Sequence, residues 1–136
     1  MKFMTEIRNI KNSKDDLTLV YSCSGCSNIA QLANDVAVRM DREEIAEMSC
    51  IAGVGGNVKP LVSKAQSGRK IIAIDGCVLQ CAKSCLNNVG VEPDVHYVLT
   101  DYDLKKEFHK DYNIETTNEI FELIVEENFN VLDKHV

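Results

Sequence analysis

Hydrophobic residues fall into short runs separated by longer, periodically apolar segments. LTLVY at 17–21 is an unbroken β-rich run of the length expected for a strand covered on both faces, and it ends in SCSGCSN. From Ser27 the period changes. Ile29, Leu32, Val36 and Met40 recur at spacings of three and four, which puts one apolar stripe on a helix running to about Glu47. MSCIA at 48–52 gives a weaker strand signal and is followed by GVGGN, read as a tight turn. Val58 to Ala65 reads as a second helix, with Pro60 in its first turn and Gly68 as its stop. KIIAI at 70–74 is the clearest strand, and DGC then turns the chain into a helix from Val78 to Asn88 that closes at Gly90. DVHYVL at 94–99 is a fourth strand, followed by a short helix over 103–111. A last helix opens on the capping-box pattern Thr116 to Glu119 and carries Ile120, Leu123 and Ile124. Met1 to Asp16 is polar with weak periodicity, suited to a surface arm or an edge element.

Strand and helix in alternation, with buried strands, predict an α/β fold. The expectation is a single three-layer domain over 1–136, with a mainly parallel sheet of about four strands and helices on both faces. In such sheets, sites form beyond the carboxyl ends of the strands. Cys23 and Cys26 follow the first strand, Cys50 lies in or after the second, and Cys77 and Cys81 follow the third. Five of the six cysteines are thus expected on one edge of the sheet.

The formal charge of −6 comes with basic residues scattered along the chain, which argues against nucleic acid as a partner. Apolar runs are only a few residues long, too short to span a bilayer, and MKFMTEIRNIKNSKDD lacks the apolar core of a signal peptide. A cytoplasmic location with no membrane association is expected. There, thiols are kept reduced, so six cysteines point to metal binding or thiol chemistry rather than to a disulfide framework.

A lone cysteine is most often a small buried hydrophobe. CxxC is more specific, because two residues in a turn let both sulfurs face one point, and Gly25 frees the turn in SCSGCSN. In DGCVLQCAKSC at 75–85, Cys77 and Cys85 would lie about 12 Å apart along a regular helix. Sulfurs sharing one zinc at about 2.3 Å lie within about 4 Å of each other. The expected ligands are therefore Cys23, Cys26, Cys77 and Cys81, with Cys50 and Cys85 as further possibilities. Cys26 and Cys77 are read as sitting where helices begin, where the macrodipole favours thiolate. Asp75 is expected to turn away from the thiols and bond backbone N–H groups of the turn. GVGGN satisfies neither a dinucleotide fingerprint nor a phosphate loop, and reads as backbone approaching the thiol cluster as one wall of the site. His96 is expected to be structural, and His109 and His135 to be exposed. No Ser/His/Asp set or paired-carboxylate constellation supports hydrolase chemistry.

CSGCSN at 23–28, CIAGVGGN at 50–57 and DGCVLQCAKSC at 75–85 resemble the signature blocks of the DGC domain family. These are small bacterial and archaeal proteins named for the Asp-Gly-Cys triplet and described as zinc-binding. The resemblance covers about 17–112, and a helical extension over about 113–136 is read from pattern alone. It implies a metal-bound cysteine cluster at Cys23, Cys26, Cys77 and Cys81, with Cys50 in a signature block, and leaves the activity open. The expected function is binding of one zinc ion. The rivals are a thiol redox or persulfide-carrying protein using a cysteine free of metal, and an iron–sulfur electron carrier.

Overall fold

A computed structural model describes residues 17–129; the readings of Met1 to Asp16 and of His135 lie outside the described residues. Four strands form one parallel sheet: β1 (Thr18–Ser22), β2 (Ala46–Met48), β3 (Ile71–Asp75) and β4 (Val95–Val98), in the order β2-β1-β3-β4. Every residue of β1 and β3 is buried, the condition under which a strand loses its polar alternation and reads as a continuous apolar run. The pleat sends alternate residues to opposite faces. Val20, Ile72 and Ile74 join α1 (Asn28–Arg42) and α5 (Ile114–Phe129) in one core through Ile29, Val36, Met40, Ile120 and Ile124. Leu19, Tyr21, Ile71 and Ala73 face the other way, onto Val54 of α2 (Ile51–Gly55), Ala65 of α3 (Lys59–Ala65) and Leu86 of α4 (Cys81–Asn88). This is the three-layer α/β architecture the alternation predicts.

Helix α1 starts where its sequence changes period, because the Ser27 hydroxyl accepts the Ala30 N–H at 3.1 Å. Its apolar stripe is the buried face expected. It ends at Arg42, and Glu44 turns the chain with φ 59 into β2.

Five local readings need correction. MSCIA is not the second strand: pairing with β1 ends at Met48, and Cys50 caps α2 instead. GVGGN is accordingly the end of that short helix rather than a free turn. The DGC helix begins at Cys81, not Val78, because Gln80 adopts φ 56 and breaks the helical path. No helix forms over 103–111; a 3-10 turn at Leu99–Tyr102 closes on Asp103, whose φ is 62, and the chain continues as an irregular strap through His109, whose φ is 61. Helix α5 starts earlier than its capping-box pattern, since Asn113 Oδ1 accepts the Glu115 N–H at 2.7 Å. Its far end is tied to β4, where the Tyr97 hydroxyl donates to Glu127 at 2.6 Å and accepts from Asn128 at 2.8 Å. Among the described residues, no helix is long and apolar enough to cross a membrane.

Candidate thiol site

The chain leaves β1 outward to β2 and leaves β3 in the opposite direction to β4, so a crevice opens between the carboxyl ends of the two central strands. Both cysteine motifs emerge into it. Cys23 directly follows β1; its N–H donates to the Ile74 carbonyl at 3.1 Å, and its sulfur accepts the Gly76 N–H at 3.1 Å. Gly76 is pressed against the start of α1: a Cβ there would lie 3.0 Å from both the Ala30 nitrogen and the Ile29 carbonyl carbon. Only a residue without a side chain lets Cys77 follow so closely, which gives the central glycine of the triplet its physical reason.

Asp75, almost wholly buried, does what its position predicts: it bonds backbone rather than facing the sulfurs. Its carboxylate accepts the Ala82 N–H at 2.7 Å and the Lys83 N–H at 3.2 Å, and lies 2.8 Å from His96 Nε2. It thereby replaces the missing side-chain cap of α4 and sets Cys81 as the first residue of that helix. His96 is a structural partner of Asp75, as expected of a strand histidine, and His109 is exposed.

A cavity of about 430 Å³ fills the crevice, with Cys23, Cys26, Cys77, Cys81 and Cys85 in its walls. Cys23, Cys77 and Cys85 are half-buried; Cys26, Cys50 and Cys81 are exposed. All six are free thiols. Cys50 is not among the lining residues; its sulfur accepts the Gly53 N–H at 3.3 Å, and its neighbours Ile51 and Ala52 form the wall. Gly55 completes that wall, and a Cβ there would come within 2.9 Å of the Cys85 sulfur, so the glycine-rich segment does bring backbone up to a thiol. Cys50 stands at the expected sheet edge, directly after β2 but outside the cavity's lining, and Cys85 joins Cys23, Cys26, Cys77 and Cys81 in the wall. The helix starts also differ from expectation: Cys26 precedes the cap Ser27, Cys77 precedes α4 by a turn, and Cys50 and Cys81 occupy the helix starts.

Burial pushes the Cys23 thiol up to about 11; the Gly76 N–H opposes the rise, and the charges of Asp75, Cys81 and Cys77 add to it. Burial also raises Cys85, followed by the charges of Cys81 and Asp75. The segments after β1 and after β3 are therefore close enough for their sulfurs to sense one another. Among the described residues, no three or more His, Cys, Asp or Glu side chains are preassembled in metal-holding geometry, so a shared ion requires side-chain rotation within the cavity.

Lys106 is a site residue that the sequence reading missed. The strap carrying it is clamped by Asn28: the amide nitrogen donates to the Lys105 carbonyl at 3.1 Å, and the amide oxygen accepts the Glu107 N–H at 2.7 Å. The Asn28 N–H adds a bond of 3.1 Å to the Glu107 carbonyl. Lys106 Nζ then sits 3.4 Å from the Cys77 sulfur and 5.2 Å from the Phe108 ring centroid. No local pattern signalled it, because the clamp joins Asn28 to residues 77 and 79 positions further along the chain.

The sequence profile of the DGC domain matches residues 19–124, from the first central strand into α5. The chain belongs to the DGC domain family. A similar DGC protein is the "anaerobic and virulence modulator" AnvM of Pseudomonas aeruginosa, 52% identical over 111 residues, which cover 82% of this chain and 85% of AnvM. No solved structure matches. The DGC match spans the residues that build the crevice, including Asn28 and Lys106.

Proposed function

We propose that this DGC protein binds a thiophilic metal ion, Zn²⁺, through cysteine thiolates at the crevice between β1 and β3. The observation that carries the reading is the convergence of Cys23 and Cys26 after β1 with Cys77 and Cys81 after β3 on one cavity. The donor set fits the ion: sulfur is the ligand zinc prefers in structural sites, and four thiolates close a tetrahedron. Cys23 and Cys77, both half-buried, form the inner part of the set, and the exposed Cys26 and Cys81 supply the other two sulfurs. Binding would displace the proton that burial keeps on the Cys23 thiol, so affinity rises with pH. Bound zinc would supply a fixed cross-link, and Lewis acidity if one position stays open to the cavity.

Elemental analysis of anaerobically purified protein tests this reading. About one zinc per chain is expected, lost in Cys23→Ser and Cys77→Ser and retained in Cys50→Ser. A metal-free preparation whose melting temperature ignores added Zn²⁺ refutes it. Brown protein whose visible absorption bleaches on reduction would assign the thiolates to an iron–sulfur cluster instead.

A second reading, thiol redox or persulfide chemistry, is favoured by Lys106, which sets a cation 3.4 Å from the sulfur that such a step would use. Rapid alkylation of Cys77 in metal-loaded protein supports this second reading; labelling only after chelation supports the first.

A further inference from the structure

The cavity is far larger than an ion needs. A single water takes up about 30 Å³ of liquid volume, and a metal whose ligands already form the wall needs no more. The crevice holds about 430 Å³, within the range of small-molecule sites, roughly 300–1,000 Å³. Its walls beyond the sulfurs are mostly apolar, with Ile51, Ala82, Leu79 and Phe108 among them and Ser24 and Ser27 at one side. Leu79 and Phe108 are 67% and 57% exposed, and both lie on the lining of this cavity, so they add apolar surface at its rim. Among the described residues lining this space, Lys106 is the only acidic or basic side chain. No carboxylate of the described residues pairs with it; its partners are a sulfur and an aromatic ring, and Asn28 fixes the strap on either side of it. A cation held in place beside apolar walls, with no carboxylate of the described residues paired to it, has the form of a receptor.

We infer that the crevice binds a small monoanionic molecule with an apolar body, its anionic head at Lys106 Nζ and its body against Leu79, Phe108 and Ile51. The inference concerns the cavity proposed for zinc but does not depend on an ion being there. The Lys106 ammonium donates a charge-assisted hydrogen bond to the head, and the body covers the exposed rim. A second cavity, about 470 Å³ around Gln66, Arg69 and Asp94 at the opposite edge of the sheet, offers no comparable receptor, because Arg69 is already bonded to the Leu17 carbonyl and Glu47.

Octanoate serves as the probe, titrated into the full chain under reducing conditions by calorimetry and protein-observed NMR, with octanol, octylamine and acetate as comparators. Each titration is run on the protein as purified and after chelation. Octanoate is expected to saturate one site, with shifts at Leu79, Cys81 and Lys106, while acetate and octylamine fail to saturate. Lys106→Met should weaken octanoate about tenfold and leave octanol unchanged, the loss of one charge-assisted bond. Leu79→Ser, at an exposed position where folding is not at stake, should weaken octanoate and octanol alike. The inference is overturned if nothing saturates, if shifts map to the Arg69 edge, or if octanoate and octanol bind equally and Lys106→Met changes neither. It is also overturned if octanoate binds only metal-loaded protein and survives Lys106→Met, since the ion would then be the receptor. Lys106-dependent binding in protein that takes up no zinc would leave this inference standing and the zinc reading refuted.

Discussion

Gly76→Ala probes the packing that brings the two cysteine motifs together. The added Cβ would lie 3.0 Å from the Ala30 nitrogen, 3.0 Å from the Ile29 carbonyl carbon and 3.1 Å from Ile29 Cγ2. Ordinary contacts of this kind lie at about 3.5–4 Å. Two of the three neighbours are backbone atoms in the first turn of α1, which the Ser27 cap holds, so no rotamer change relieves the crowding. Overpacking costs about 1–3 kcal/mol, and backbone neighbours place this case near 3. Loss of glycine's freedom in the unfolded chain returns about 0.4–1 kcal/mol. The net destabilisation is therefore about 2 kcal/mol, a fall in melting temperature of about 8 °C for a domain of this size. Gly25→Ala is the control, because its Cβ would meet only Ala30 Cβ at an ordinary 3.7 Å and should leave stability unchanged or slightly raised. Urea unfolding followed by circular dichroism measures both. Stabilities within about 0.5 kcal/mol of each other would refute the close approach of the triplet to α1. The same variant should slow zinc uptake, because relief of the clash moves the β3 turn away from Cys23.

Asp75→Ala should cost about 3–5 kcal/mol in urea unfolding, since it strands His96 and the Ala82 and Lys83 N–H groups together; an effect below about 1 kcal/mol would deny it the capping role. Tyr97→Phe removes bonds to Glu127 and Asn128 and should lower stability by about 1 kcal/mol, with faster amide exchange in the last turns of α5 as the local sign. Burial raises Glu47, but hydrogen bonds and charges from Lys64 and Arg69 outweigh it and hold the carboxyl below its ordinary value of 4.5. The lowered folded value gives a stabilisation that is present above pH 4.5 and lost as the pH falls through that folded value, so Glu47→Gln should flatten the acid limb of a stability–pH profile; an unchanged limb would count against the pairing.

The central strands and the first helix were legible because burial on both faces of β1 and β3, and on one face of α1, leaves a direct trace in the apolar pattern. The meeting of CSGC and DGC followed from their place after parallel strands. β2 was misplaced because Ile51 and Ala52 prolong an apolar run whose pairing has already ended at Met48, while the Cys50 sulfur acts as a helix cap. Gln80, Asp103 and His109 take left-handed backbone conformations that no periodicity announces, and these moved the start of α4 and replaced a helix with the strap. Lys106 was out of reach for another reason: its position depends on Asn28, many residues away in sequence, and local patterns do not encode distant pairings.

The Gly76–Cys23 bond joins residues separated by 53 positions. Any bridge across that gap, whether an ion or a sulfur–sulfur bond, would cinch a long segment of the chain into a ring. Closing a ring of that size removes about 4 kcal/mol of entropy from the unfolded ensemble. Such a tether would make the molecule's lifetime against proteases a gauge of what the crevice holds, so that cells lacking the bridging agent would carry less of the protein at the same rate of synthesis.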